Sequence, residues 1–160
     1  MDLSSTNVLF VPCFVGLGSP YWVPEARGTV FGLTRATTAA DLARAALEGV
    51  ALQVVDLIEA ASNDLGKPLQ ELRVDGGMTR NDHFLQVQSD LLGLPVLRAG
   101  QSESTALGAA YLVAVQSGLT DEPRLRKLAA EAVRFAPMMP AKARDAKRAQ
   151  WRKAVMGFYA

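Results

Sequence analysis

Between Leu72 and Gly118 short apolar runs alternate with helical patterns, and this order constrains the fold more than any other feature of the chain. Leu72 to Asp75 reads as a buried strand and Leu94 to Arg98 as another. The stretch between them carries Phe84, Leu85, Gln88, Leu91 and Leu92 at helical spacing, which outlines one inner face. Thr79 to Asp82 offer N-cap residues, and Gly93 sits where a helix ends in the left-handed region. Thr105 to Val115 is a helix rich in small residues, closed by Gly118. A strand–helix–strand–helix succession implies an α/β fold with parallel strands and a right-handed crossover.

Asp75-Gly76-Gly77, where the first strand meets its helix, is the main candidate for chemistry, and its spacing admits two readings. It is a tight turn whose glycines meet a positive φ, or a place where backbone and a helix N-terminus approach an anion or nucleotide. The stretch is neither a G-x-G-x-x-G fingerprint nor a G-x-x-x-x-G-K-[ST] loop.

Upstream, Met1 to Asn7 reads as a loop, Val8 to Val15 as a β-rich run interrupted by Pro12, and Gly28 to Leu33 as a second short strand. Thr38 and Asp41 have capping-box spacing and open the longest helix, Ala39 to Ser62, which Gly66 and Pro68 terminate. Leu42, Ala46, Val50, Val54 and Leu57 mark its expected inner face, while Asp41, Arg44 and Glu48 begin a polar stripe that Leu52 and Val55 continue, so the second half is expected to be buried more widely. Downstream, Ala99 to Ser104 reads as a loop, and two charged helical stretches follow, Arg124 to Phe135 and Lys142 to Tyr159.

Charge and cysteine usage narrow the function. A net charge of +1 over 160 residues points to neither nucleic acid nor membrane as a partner. One cysteine, Cys13, and one histidine, His83, do not make a Cys/His metal site, and no internal disulfide is possible. With no apolar run near the ~18 residues of a membrane span, a cytoplasmic setting is expected.

Several colinear blocks then carry a resemblance: Phe10 to Trp22, Ala26 to Arg35, Arg73 to Gly77 with Asn81, Gln86 to Asp90, and Ala106 to Leu112. Together they resemble the glycerol kinases, within the FGGY group of carbohydrate kinases. Gly28 to Glu48 is also similar to that group's carboxy-terminal signature. The resemblance implies the second lobe, incomplete at its N-terminal side, of an actin-like (ribonuclease-H-like) ATPase that binds ATP or ADP with Mg2+ between two lobes. Residues 1–120 would form the lobe and 121–160 a helical extension packed on it. The adenosine-contacting residues would be Gly76, Gly77, Met78 and Asn81. The resemblance places the catalytic aspartate, the glycerol contacts, the metal-bearing elements and the phosphate loops before this segment, so no catalytic or metal-ligating residue is assigned here. Glycerol would be met through that missing lobe, and the isolated chain would be inactive. A stand-alone nucleotide-binding or protein-interaction module, and a fragment of a kinase for another polyol or sugar, are the alternatives. Val23 stands where the family commonly has Asp, which weakens any role for the loop Gly16 to Arg27.

The remaining candidates have bland readings. Cys13 reads as a buried thiol, His83 as a surface or capping residue, and Glu103 as a dipole or capping carboxylate before the small-residue helix. Tyr21 and Trp22 would anchor a loop or a contact in a homo-oligomer, or stack on a ligand. Lys142, Arg144, Lys147, Arg148, Arg152 and Lys153 read as a solvated helix face or, alternatively, an anion or partner site.

Overall fold

The computed structural model describes residues 8–100, 103–128 and 132–158. The loop expected over Met1 to Asn7 lies outside them, as do part of the loop expected at 99–104 and Tyr159, the last residue of the helix expected from Lys142. Two strands come first, β1 (Leu9–Val11) and β2 (Thr29–Phe31), paired antiparallel with Leu9 opposite Phe31. A long helix follows, α1 (Ala39–Asp64), and then β3 (Leu72–Val74), a single 3-10 turn (Gly77–Arg80) and α2 (Asp82–Leu92). The chain continues as β4 (Val96–Ala99), α3 (Ser104–Gln116), α4 (Glu122–Leu128), β5 (Ala132–Phe135) and α5 (Ala141–Met156). β3 and β4 pair in parallel, as the alternating order requires. Among the described residues no helix is long and apolar enough to cross a membrane.

The helix ends form for local reasons. Thr38 caps α1 reciprocally: its hydroxyl accepts from the Asp41 N–H at 3.3 Å, and the Asp41 carboxylate accepts from the Thr38 N–H at 2.9 Å. Asn81 Oδ1 accepts from the Phe84 N–H at 3.1 Å at the start of α2, and Gly93 ends that helix at φ 66°. The five residues expected to face inward on α2 are all buried, and Ser89 joins them by donating to the carbonyls of Leu94 and Phe135.

Three expectations are corrected. The first concerns α1, whose buried residues are Arg44, Ala45, Gly49, Ala51, Leu52, Val55 and Asp56: the wider burial expected of its second half is found at Leu52 and Val55, but the polar stripe of its first half faces inward too. Leu42 and Leu57, on the expected inner face, are exposed.

The second correction explains the first. The basic residues of α5 are not simply a solvated face: Lys147 meets Glu48 of α1 at 2.7 Å, Arg148 meets Glu59 at 3.1 Å and Arg152 meets Glu59 at 2.8 Å. Trp151, fully buried, donates its indole N–H to the Asp56 carboxylate at 2.5 Å. Arg148 also donates to the carbonyls of Leu91 and Leu92, the orphan acceptors at the end of α2. Acidic residues of α1 and basic residues of α5 are therefore each other's partners, and an apolar-periodicity argument applied to α5 alone assigns its basic face to solvent.

The third correction is β5. The second half of the expected helix Arg124 to Phe135 is instead an edge strand, antiparallel to β4 with Val96 opposite Phe135; residues 129–131 lie outside the described set. Ala132-Val133-Arg134-Phe135 has modest helical preference, and pairing with the free edge of β4 outweighs it.

α3 stands apart. It is strongly apolar, yet none of its side chains is buried, and Leu112 is 74% exposed and Val113 66% exposed. A monomeric surface rarely leaves such a stripe uncovered.

Candidate functional site

The turn after β3 is built around Gly76. Its φ of 94° with ψ of −179° lies in a region open essentially to glycine alone. Thr79 locks the corner from inside, because its buried hydroxyl donates to the Gly76 carbonyl at 2.7 Å and its N–H donates to the same oxygen at 3.1 Å. The chain then makes its 3-10 turn and enters α2 through Asn81.

Gly77 has a different status. Its φ is not positive, and a Cβ added to it would meet no atom within 4 Å. The fold therefore does not require glycine at this position. Gly77, Met78 and Asn81 are all exposed, so the turn is an open ledge. Asn81 commits its side-chain oxygen to the helix cap, and among the described residues nothing accepts from its amide N–H groups. The four residues expected at a nucleotide site thus share one continuous surface, with Gly76 demanded by the backbone and Gly77 left free for a close approach from outside.

Arg98, on β4, was not among the candidates. One of its terminal nitrogens donates to the Thr79 carbonyl at 2.8 Å and to the Asp82 carboxylate at 2.6 Å, which ties the turn to the start of α2. Nothing in the sequence pattern of Leu94 to Arg98 marks this, because the partners lie 16 and 19 residues away.

The other candidates fall away from this surface. Cys13 is buried beside β1, and burial pushes its thiol up, away from a reactive thiolate. His83 is exposed on the first turn of α2. Glu103 occupies the N-cap position of α3 but makes no side-chain capping bond, so of the two roles expected of it the capping one is not made, while its place at the N-terminus of α3 is the one a dipole carboxylate takes. Tyr21 packs against the core and hydrogen-bonds to Asp56, whereas Trp22 is exposed at φ 57°. Among the described residues no three acidic, histidine or cysteine side chains converge on a common point where a metal ion could be held.

Residues 2–117 match the C-terminal domain of the FGGY family of carbohydrate kinases. A glycerol kinase from Aromatoleum aromaticum is 53% identical over 153 residues, which is 94% of this chain and 31% of that protein. One from Thermus brockianus is 51% identical over 149 residues, 93% of this chain and 30% of that protein. Among solved structures, Plasmodium falciparum glycerol kinase with ADP superposes with a TM-score of 0.87 at 35% identity, covering 97% of this chain and 31% of its own. A ligand-bound xylulose kinase from Lactobacillus acidophilus gives a TM-score of 0.72 at 26% identity, covering 92% of this chain and 30% of its own. The chain thus spans about 31% of the length of the relatives it matches, and its fold is that of the actin-like kinases among them.

Proposed function

Because the chain belongs to the FGGY family of carbohydrate kinases, we propose that it supplies the adenosine side of the cleft in an ATP-dependent glycerol kinase, which transfers the γ-phosphoryl of ATP to glycerol. One observation carries this reading: Gly77 keeps an open space that the fold itself does not need, beside a corner that only glycine can turn. The relative from Plasmodium falciparum, crystallised with ADP, supports a nucleotide as the occupant. In this proposal Gly76 sets the direction of the backbone, Gly77 and Met78 form the floor beneath the adenosine, and the Asn81 amide N–H groups reach its base or ribose. Mg2+, the catalytic base and the glycerol contacts belong to the remainder of the protein. This chain's contribution to phosphoryl transfer is therefore positioning, which fixes one end of the ATP so that the other can react in line.

Isothermal calorimetry with ADP tests the site. Asn81→Ala lowers the affinity about tenfold, the cost of roughly one to two hydrogen bonds. Gly77→Val abolishes measurable binding while the melting temperature stays within about 2 °C of the parent, since the new side chain meets nothing inside the chain. Binding that survives both substitutions removes this turn from the nucleotide site.

We further propose that the apolar surface of α3 is covered by the other lobe of the kinase. A Cβ added to Gly108 on α3 would likewise meet nothing within 4 Å, so Gly108→Leu leaves the isolated chain folded but weakens its association with the amino-terminal part of a glycerol kinase. Glycerol-dependent ATP turnover returns on mixing the two parts and is lost with Gly108→Leu. Robust turnover by this chain alone would refute the division of labour. A kinase for another polyol or sugar is the alternative substrate class, supported by the similar fold of the xylulose kinase, and the same mixing assay run with xylulose separates it. The second alternative, a nucleotide-binding or interaction module that works alone, requires ADP binding without any restored turnover.

A further inference from the structure

The turn that carries Gly76 to Asn81 is exposed, and loops held only by their own short-range bonds sample many conformations. Within the turn, Thr79 supplies the bonds back to Gly76. Beyond it, the residue that reaches across from another strand is Arg98, which joins the Thr79 carbonyl at 2.8 Å to the Asp82 carboxylate at 2.6 Å. Both bonds are charge-assisted; Arg98 is 24% exposed, and of its two bonds the one to the Thr79 carbonyl is part-buried while the one to the Asp82 carboxylate, 71% exposed, is open to solvent.

The guanidinium is held in turn from behind. Its carbon lies 5.5 Å from the centroid of the Phe135 ring, within cation–π range. Phe135 belongs to β5, and the segment around it is fastened to α2: Ser89 donates to the Phe135 carbonyl at 3.0 Å, and Gln86 donates to the Ala136 carbonyl at 2.9 Å. The Asp90 carboxylate accepts from the N–H groups of Met138 and Met139 at 2.6 and 3.1 Å. A segment outside residues 2–117, the span that matches the family, thus provides the platform on which Arg98 rests.

We propose that Arg98 is a positioning residue for the nucleotide: acting through Thr79 and Asp82, it holds the Gly76–Asn81 ledge in the shape that receives adenosine. This rests on the nucleotide reading of the ledge given above. Arg98 touches no ligand atom in this role. Its contribution is pre-organisation, so that the turn need not be ordered when the ligand binds.

The test pairs ADP calorimetry with amide hydrogen exchange on the purified 160-residue chain. Arg98→Gln is expected to weaken ADP about tenfold and to speed exchange at Met78 to Asn81 by a similar factor, while protection in α5 stays at the parent level. Arg98→Lys, which keeps the charge but loses the planar fork, is expected to fall between the two; it also serves as the reporter should Arg98→Gln not fold. ADP affinity within about twofold of the parent in both variants overturns the proposal, as does a loss of protection spread equally over α5, the mark of a merely structural residue. A parent chain that binds no ADP overturns the nucleotide reading itself, and the role of Arg98 falls with it. Parent binding that the variants retain leaves the nucleotide reading standing and removes Arg98 alone.

Discussion

Gly49→Ala is expected to destabilise the fold by about 3 kcal/mol or more and to lower the melting temperature by about 10 °C. In an ordinary helix the same change is stabilising by about 1 kcal/mol, because alanine has the higher propensity. Here α1 crosses β1 with backbone against backbone. A Cβ on Gly49 would lie 2.1 Å from the Phe10 carbonyl oxygen and 3.2 Å from its carbonyl carbon, with Pro12 Cδ at 3.1 Å. The first two atoms are main chain and cannot rotate away, so α1 must lift off the strand. That separation would loosen a core in which Leu9, Val11, Leu52 and Val55 pack together. Thermal unfolding followed by circular dichroism checks the sign. A melting temperature equal to or above that of the parent would mean that α1 and β1 do not approach as described.

The second large effect lies where α5 meets α1. Trp151→Ala is expected to cost about 4 kcal/mol, since it empties a fully buried site and strips the Asp56 carboxylate of its indole donor. Trp151→Phe keeps most of the volume, loses the bond and leaves only a small void, so its cost is smaller, about 1–3 kcal/mol. The pair of variants, compared by urea denaturation, separates packing from hydrogen bonding.

Asp56 adds a pH dependence of definite sign. Burial raises its pKa above the ordinary value, and the donors Trp151 and Tyr21 pull it back only in part; the Glu59 carboxylate opposes ionisation and Arg152 favours it. A raised carboxyl pKa means that the folded chain holds the proton more tightly than the unfolded one. The contribution of Asp56 is therefore most favourable below the ordinary carboxylate range and is lost as the pH rises from that range through the raised native value. Asp56→Asn removes this segment of the stability–pH curve, and Trp151→Phe extends it to higher pH. A curve for Asp56→Asn that parallels the parent's over that range would show that Asp56 does not titrate differently on folding.

The turn proposed as the nucleotide site was partly legible in the sequence. The glycine pair, Asn81 and the colinear blocks around them singled out this turn, and the structure separated two glycines that look alike in sequence: Gly76 is required by its φ of 94°, Gly77 by nothing within the chain. Arg98 was missed because its bonds run from β4 to the turn and the start of α2, and no spacing rule connects it to Thr79 and Asp82.

The fold divides in the same way. Caps, turns and the inner face of α2 follow from interactions that close within about one helical turn, so Thr38 with Asp41, and Gly93, could be read from the chain itself, and the cap of α2 could be narrowed to Thr79 to Asp82, of which the structure selects Asn81. The order of elements likewise determined that β3 and β4 pair in parallel. The buried side of α1, the docking of α5 and the strand at β5 were decided only in three dimensions. Glu48, Asp56 and Glu59 turn inward because Lys147, Trp151, Arg148 and Arg152 arrive from 89 to 99 residues away to meet them, and Ala132 to Phe135 extends because β4 has an edge to fill. A charge or a short mixed segment takes its place from the partner it finds, and that partner is set by the tertiary fold, not by its neighbours in the chain.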